Sequence, residues 1–340
     1  MVRMRFAFVF LLCPFAAAQT WSLQTSSVTA SLRGAAALSA TVAWASGTGG
    51  TWLRTEDGGA TWISGKVPGA ETLDFRDLYA VDARTAFLMS IGSGPQSRIY
   101  KTSDAGLHWQ LLFTNPDAQG FFDAIAFWDP THAILVGDPV EGRMTVFTTG
   151  DGGIHWTRRQ TPPALAGEGA FAASGTCLIT RGASEAWFAT GGKGAARVFH
   201  TTDGGRSFTV APTPIRADAA SAGIFSLDFS DALHGIAVGG DYSQPEASAH
   251  NLALTADGGH TWTEPSGTPP AGFRSAVLYL PDAHLWIATG TSGSDISTDG
   301  GRTWRTFDRG NFNALAFASR DAGWAVGPKG RIAAIHWPTP

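Results

Sequence analysis

One octapeptide occurs six times along this 340-residue chain and constrains its fold more than any other feature. Its shared form is Ser/Thr-x-Asp-x-Gly-x-x-Trp/Phe, and successive copies lie 42 to 54 residues apart. The aspartates of the six copies are Asp57, Asp104, Asp151, Asp203, Asp257 and Asp299. A period of this length is typical of supersecondary units that bury their apolar faces against one another, so a repeat architecture is predicted.

Four short apolar segments, named A to D here, recur in the same order around each octapeptide. In the second unit they are FRDLYAVD, TAFLMSIG, SRIYKTS and HWQLL, and the octapeptide spans the turn between C and D. The segments are rich in β-branched and aromatic residues and are separated by Gly, Pro, Asp or Ser, which indicates antiparallel strands rather than helices. Each unit is therefore predicted to be one four-stranded sheet.

The ends of the chain indicate how these sheets are arranged. There are seven B segments but only six octapeptides, and the last unit ends after its C segment at residues 331–337. Residues 21–24, near the start, resemble a D segment that has no A, B or C segment before it. We therefore predict an all-β, seven-bladed β-propeller of four-stranded antiparallel blades, closed by the N-terminal strand completing the last blade.

The composition agrees with a large folded core and excludes several classes of protein. Only 15% of residues are charged and 44% are hydrophobic, which excludes a charge-rich disordered chain. The 42 glycines follow no triplet period, which excludes collagen. With 24 Lys and Arg against 28 Asp and Glu, the chain has no basic surplus for a phosphate backbone, so nucleic acid is not an expected partner.

Residues 1–18 have the layout of a secretory signal peptide. Arg3 and Arg5 precede the apolar run FAFVFLL, and three alanines end at Ala18. We predict cleavage after Ala18, leaving residues 19–340 as a single propeller domain in the periplasm or outside the cell. The apolar run is too short to span a membrane, so no transmembrane segment is expected in the mature chain. Cys177 is then its only cysteine, so an internal disulfide is not possible.

The repeated aspartates are predicted to be structural. An Asp carboxylate can accept N–H groups of its own turn, Gly can adopt positive φ, and the terminal Trp or Phe can pack between sheets. Calcium-binding Asp/Gly repeats place glycines before the Asp at a nine-residue period, unlike the order here, so no metal is predicted. No strand is followed by a Gly-x-Gly-x-x-Gly loop, so no cofactor is predicted.

The octapeptide resembles the Asp-box, or BNR repeat, of sialidases, sortilins and related propellers. Together with B segments such as GWAVGP, it makes the chain most similar to the photosystem II stability/assembly factor-like propellers, over about residues 20 to 337. The resemblance implies a propeller fold. Because Asp-box propellers include glycosidases, receptors and assembly factors, it leaves the function open.

The two faces of such a disc differ in sequence. The A–B and C–D turns share one face, the turn face, so the D–A and B–C connections form the other, the loop face. Charged residues gather on the loop face, which indicates a polar pocket around the central channel. The predicted ligand- or partner-binding residues are Arg33, Asp74, Arg76, Asp77, Asp123, Asp138, Glu168, Tyr242 and Arg274. The predicted aromatic anchors are Phe121, Phe122, Phe171, Phe225 and Phe273.

Two functions from different classes can use this face. The first is an exported scaffold that binds a protein partner or a small polar ligand through the loop face. The alternative is a glycan-active hydrolase, which needs two suitably spaced carboxylates or a Tyr–Glu pair. Glu168 with Asp123, Asp138 or Tyr242 can supply such a pair, and the arginines can hold a substrate carboxylate. No catalytic residue is assigned by the sequence.

Overall fold

The computed structural model describes residues 19–194 and 196–337, and the predicted signal peptide lies outside them. In this part of the chain there are 29 strands and two single-turn 3-10 helices, Gly94–Gln96 and Pro328–Gly330. None of its helices has the length and apolarity needed to cross a membrane. The strands form seven antiparallel blades in a propeller ring, which confirms the predicted fold class.

Strands are numbered in chain order, and the A strands of neighbouring blades contact one another around the channel. Strand β1 is Thr20–Gln24. Blade 1 contains β2 (Leu32–Ala37), β3 (Ala43–Gly47), β4 (Thr51–Thr55) and β5 (Ile63–Lys66). Blade 2 contains β6 (Asp74–Ala80), β7 (Ala86–Ile91), β8 (Arg98–Thr102) and β9 (Gln110–Thr114). Blade 3 contains β10 (Phe122–Phe127), β11 (Ala133–Val140), β12 (Arg143–Thr149) and β13 (Thr157–Arg158).

The second half of the chain continues the ring. The short strand β14 (Glu168–Gly169) precedes blade 4, which contains β15 (Leu178–Arg181), β16 (Glu185–Ala189), β18 (Arg197–Thr201) and β19 (Thr209–Pro212). Blade 5 contains β20 (Ala222–Phe229), β21 (Gly235–Asp241) and β22 (Leu252–Thr255), and β17 (Gly191–Gly192) joins β14 to its inner edge. Blade 6 contains β23 (Ala276–Leu280), β24 (Leu285–Gly290), β25 (Gly293–Ser297) and β26 (Arg305–Asp308). Blade 7 contains β27 (Ala314–Ser319), β28 (Ala322–Val326), β29 (Ile332–His336) and β1.

The ring is closed as predicted, by an N-terminal strand that completes the last blade. Strand β1 pairs antiparallel with β29, in a register that runs from Thr20 opposite His336 to Gln24 opposite Ile332. Gln24 also joins blade 7 to blade 1, because its Oε1 accepts the indole N–H groups of Trp62 (3.0 Å) and Trp324 (3.2 Å). A strand from one terminus thus completes the blade built by the other.

All six octapeptides form the same turn on the turn face. In the first copy, Thr55 Oγ1 donates to Asp57 Oδ1 (2.8 Å) and accepts the Gly59 N–H (2.9 Å). Asp57 Oδ1 also accepts the Thr61 N–H (2.9 Å), and the Thr61 hydroxyl donates to Asp57 Oδ2 (2.6 Å). These hydrogen bonds hold the pKa of Asp57 at about 2. The carboxylate is occupied by hydrogen bonds of its own turn.

The core lies between blades, where B strands such as β3 and β24 are buried along their whole length. Three octapeptide tryptophans, Trp62, Trp262 and Trp304, are buried in this core. In the other three copies the aromatic residue is half-buried and packs against the core clusters from outside. The predicted packing role is therefore shared by the copies, but the depth of burial is not.

Two blades depart from the regular pattern of four full strands. In blade 5 the D segment is reduced to one bridge between Leu254 and Thr263, and β13 of blade 3 has only two residues. Each shortened segment runs into proline, at Pro265 and Pro162. Proline has no N–H to donate to a ladder, so the regular pairing is interrupted there, although Pro163 still forms an isolated bridge with Arg143.

Candidate functional site

The loop face holds a cavity of about 430 Å³ at the mouth of the central channel. Its walls come from the first residues of A strands, from Asp138 near the end of β11, from the B–C connection that contains Thr291, and from the long connection into blade 4. A concave site of this size is typical of small ligands or of a few residues of a peptide.

A ring of equivalent A-strand positions surrounds this mouth. In four blades the position is the extra residue of a β-bulge, and these residues are Arg33, Arg76, Asp123 and Phe225. By register, the equivalent residues of blades 4, 6 and 7 are Thr176, Ser275 and Asn313. Every member except Thr176 lines the cavity. A bulge redirects a side chain that would otherwise follow the strand alternation, so the four bulged blades direct Arg33, Arg76, Asp123 and Phe225 to the mouth.

Arg33 and Arg76, the arginine pair, form one side of the cavity. Arg76 Nε donates to Asp74 Oδ2 (2.8 Å) and its Nη1 to the Ala172 carbonyl (3.1 Å). Arg33 Nη1 donates to the Ala173 carbonyl (3.4 Å), its one hydrogen bond to the described residues. Burial, then the neighbouring charge of Arg76, lowers the pKa of Arg33 to about 10, so Arg33 remains cationic at neutral pH. Two half-buried guanidinium groups with N–H groups to spare suit a carboxylate or another planar anion.

Both carbonyls belong to a segment that lies across the channel, residues 170–176, which we name the channel plug. Ser174 Oγ donates to the Ser275 carbonyl (2.7 Å), and the hydroxyls of Thr176 and Ser226 lie 2.6 Å apart. Together with the two arginine contacts, these bonds tie the plug to blades 1, 2, 5 and 6. The plug therefore forms a fixed floor to the cavity.

Asp123 and Asp138, the acidic pair, also line the cavity. Asp123 is 1% exposed, and its Oδ2 has no hydrogen-bond partner in the described part of the chain. Burial, with a further contribution from the charge of Asp138, raises the pKa of Asp123 well above its usual value. Asp138 Oδ1 accepts the Ala170 N–H (3.1 Å), and burial raises the pKa of Asp138 as well.

An aromatic wall forms a further side of the cavity. Phe171 stacks on Phe225 with ring centroids 3.9 Å apart, and Phe273 meets Phe225 edge-on at 4.7 Å. Tyr242, 55% exposed, stands edge-on to both Phe171 and Phe225 at the rim. Phe121 lines the cavity too, whereas Phe122 is buried in the core. Four of the five predicted aromatic anchors are thus in the cavity wall.

Four residues of the predicted set do not line the cavity: Asp74, Asp77, Glu168 and Arg274. Asp74 acts through its ion pair with Arg76. Asp77 is buried behind the mouth and accepts the N–H groups of Leu78 and Ile125 (both 2.8 Å). Glu168 is buried in an ion pair with Arg197 and also accepts the Thr190 hydroxyl (2.7 Å).

Arg274 is fully buried, and its guanidinium bonds Asp295, Ser292 and two backbone carbonyls. The residue at the mouth in blade 6 is Ser275, one position later. Because side chains alternate along a strand, the one-residue difference places Arg274 in the interior.

Sequence reasoning missed the polar residues Ser275, Thr291 and Asn313 and the carbonyls of the channel plug. The small mouth residues carry no charge to mark them, but aligning the B segments of all seven units would have identified their positions. The plug had a weaker signal, the lengthened step of 52 residues between Asp151 and Asp203. In the described residues no three His, Cys, Asp or Glu side chains are grouped as metal ligands would be.

Comparison with known proteins identifies the fold. No protein-family model matches the chain, and no curated protein matches its sequence. Among solved structures, YCF48 bound to D1 peptide is similar over 94% of this chain and 97% of its own, with 17% identity and a TM-score of 0.67. YCF48 from Cyanidioschyzon merolae is similar over 93% and 98%, with 17% identity and a TM-score of 0.61. These similarities confirm, at the level of the fold, the resemblance inferred from the repeats.

Proposed function

We propose that this chain is an exported scaffold that binds a segment of a partner protein in the loop-face cavity. The observation that carries the proposal is the arginine pair, whose remaining N–H groups face a cavity that also has an aromatic wall. Such a site offers both charge recognition and apolar burial to one extended segment. The similar YCF48 structure bound to D1 peptide supports a peptide as the kind of ligand that this fold can hold. Export is inferred from residues 1–18 alone.

Stability alone is a poor reason for the arginine pair. Arg76 is 28% exposed and pairs with one carboxylate, that of Asp74, which is 20% exposed; partly exposed ion pairs contribute about 0–1 kcal/mol. Arg33 has no carboxylate partner among the described residues and loses solvation beside another cation. Two like charges held together in a partly buried site are better explained by an anionic group that binds between them.

Selection of peptides tests this proposal. A display library of random heptapeptides is selected against residues 19–340, and the enriched peptides are measured by calorimetry with the wild type, Arg33→Gln and Arg76→Gln. We expect peptides with a carboxylate, bound about tenfold or more weakly by each variant, because a charge-assisted hydrogen bond contributes about 1.5–3 kcal/mol. The matched control is Arg206→Gln on the turn face, where Arg206 is exposed and bonds only its own turn. Equal affinity for all four proteins would contradict the proposal.

The glycan-active hydrolase stays an untested alternative. Its central candidate, Glu168, is held by Arg197 and does not line the cavity, while Asp123, Asp138 and Tyr242 do. No feature of the described site specifically favours a sugar ligand, so the binding scaffold is the function that we propose.

A further inference from the structure

The arginine pair does not account for the acidic pair in the same cavity. A buried carboxylate oxygen without a partner is costly, and buried polar atoms in folded proteins nearly always have one. Asp123 Oδ2 lacks one, although the side chain is 99% buried and forms part of the cavity wall. No bond joins Asp123 to Asp138, so the two carboxyl groups do not satisfy each other by sharing a proton.

We propose that the acidic pair binds a primary ammonium group of the bound segment, either a lysine side chain or a chain amino terminus. This inference rests on the proposed function and names the chemistry of the ligand. An ammonium has three N–H donors and no acceptor, so it can satisfy Asp123 Oδ2 and Asp138 together. It also adds a positive charge beside the two carboxyl groups, beyond the one that Arg76 already provides near Asp123, and so offsets their burial and mutual repulsion.

The other residues of the cavity favour a cation only beside Asp123 and Asp138. The arginine pair repels an ammonium, so the amine must lie toward Asp123 and Asp138 while the carboxylate lies toward Arg33 and Arg76. The aromatic wall, with Phe171 and Phe225, accommodates an apolar stem or ring. The cavity therefore favours a ligand that carries both charges over one that carries an anion alone.

Two probes with the same phenylethyl group and opposite charges test the inference. Phenethylammonium and 3-phenylpropionate are titrated, by NMR and calorimetry, into the wild type, Asp123→Asn and Asp138→Asn. We expect phenethylammonium to bind the wild type and to lose about tenfold or more in affinity in each variant, while 3-phenylpropionate loses none. The control is Asp218→Asn, an exposed loop-face aspartate paired with Arg216, which should bind both probes as the wild type does. Melting temperatures show whether each variant folds. If Asp123→Asn does not fold, the test uses Asp138→Asn alone, because Asp138 is only half-buried.

The outcomes separate this inference from the proposed function. If phenethylammonium binds the wild type and both Asn variants equally, or if only 3-phenylpropionate binds, the ammonium site is wrong and the arginine site stands. If neither probe binds, and the selected peptides bind Arg76→Gln as tightly as the wild type, then the ammonium site and the arginine site are both wrong. When phenethylammonium does bind as expected, capped lysine (N-acetyl-lysine N-methylamide) and phenylalaninamide distinguish a side-chain amine from an amino terminus. Failure of both of these peptide-derived amines would overturn the inference for a peptide ligand.

Discussion

The contacts of Arg274 show how strongly one residue's role depends on strand register. Its guanidinium is 0% exposed, and Nε lies 2.6 Å from Asp295 Oδ2. Asp295 in turn accepts the Thr306 hydroxyl (2.6 Å), so both charges are embedded in one network. Desolvation lowers the pKa of Arg274, but Asp295 opposes that shift. The pair is therefore structural, and neither residue lines the cavity.

Removing one member of this pair should leave an unpaired buried charge. We expect Arg274→Ala to lower the free energy of unfolding by about 3–5 kcal/mol, measured by urea denaturation. Arg76→Gln, at the half-exposed mouth, should change it by about 1 kcal/mol or less. The double variant Arg274→Leu/Asp295→Leu should recover part of the loss, because no charge remains to be buried. A wild-type unfolding curve for Arg274→Ala would show that the network is not stabilising.

Asp77 is a buried carboxyl group that joins blade 2 to blade 3 through the Ile125 N–H. Burial raises the pKa of Asp77 to about 7 in the folded protein. A pKa raised above the unfolded value means that the folded state holds the proton more tightly. The stabilisation is complete below the unfolded pKa and is lost as pH rises through about 7.

The stability difference between wild type and Asp77→Asn should therefore fall from about pH 4 to about pH 8. Free energies of unfolding at several pH values measure it. Asp57→Asn is the control of opposite sign, because the pKa of Asp57 is lowered to about 2 and its contribution disappears only in acid. A difference that does not vary with pH over this range would mean that Asp77 titrates normally in the folded state.

At the scale of the strands, the sequence predicted the elements that repeat and missed those that occur once. The octapeptides and the alternating B segments predict seven sheets, because a pattern that recurs in several units supports the strand assignment in each of them. Strand β14, the bulges at Arg33 and Asp123, and the channel plug depend on contacts between distant segments, which no local pattern encodes. The same limit explains the site: Arg76 and Asp138 carry charge and stood out, whereas Ser275 and Asn313 are recognisable only from register.

The octapeptide aromatics illustrate why equivalent positions need not be energetically equal. Trp262 is 7% exposed, and its indole N–H donates to the Gly259 carbonyl (3.1 Å). Trp109 is half-buried against Trp52, with centroids 6.1 Å apart, and its indole N–H is buried without a partner. In the fourth copy the position is Phe208.

We expect Trp262→Ala to cost about 3–5 kcal/mol in the free energy of unfolding, and Trp109→Ala clearly less. Phenylalanine should discriminate further. Trp262→Phe loses a hydrogen bond worth about 1 kcal/mol, whereas Trp109→Phe removes an unsatisfied donor and should be close to neutral. Equal losses in the two phenylalanine variants would mean that the indole contacts do not matter. Chemical denaturation of the four single variants gives the comparison.

For the whole molecule, two features hold the ring together at its centre and its rim. The channel plug bonds four blades from within, and the closing strand joins the two ends of the chain. A closed ring of sheets needs such a closure because an unpaired strand edge can pair with another chain. Blade 7 depends on it entirely, since its outermost strand is β1.

Deleting residues 19–26 should therefore open the ring. The deletion removes five paired residues opposite β29, the buried Trp21 side chain with its bond to Ser294 (3.0 Å), and the Gln24 contacts with Trp62 and Trp324. The exposed edge of β29 is then free, so we expect a lower melting temperature together with dimers or larger aggregates in light scattering. Leu23→Ser is the matched control, because Leu23 is 70% exposed and should leave both measurements unchanged. Adding the peptide QTWSLQTS should restore the melting temperature of the truncated protein by refilling the edge, and a monomeric truncation that melts like the wild type would contradict the closure.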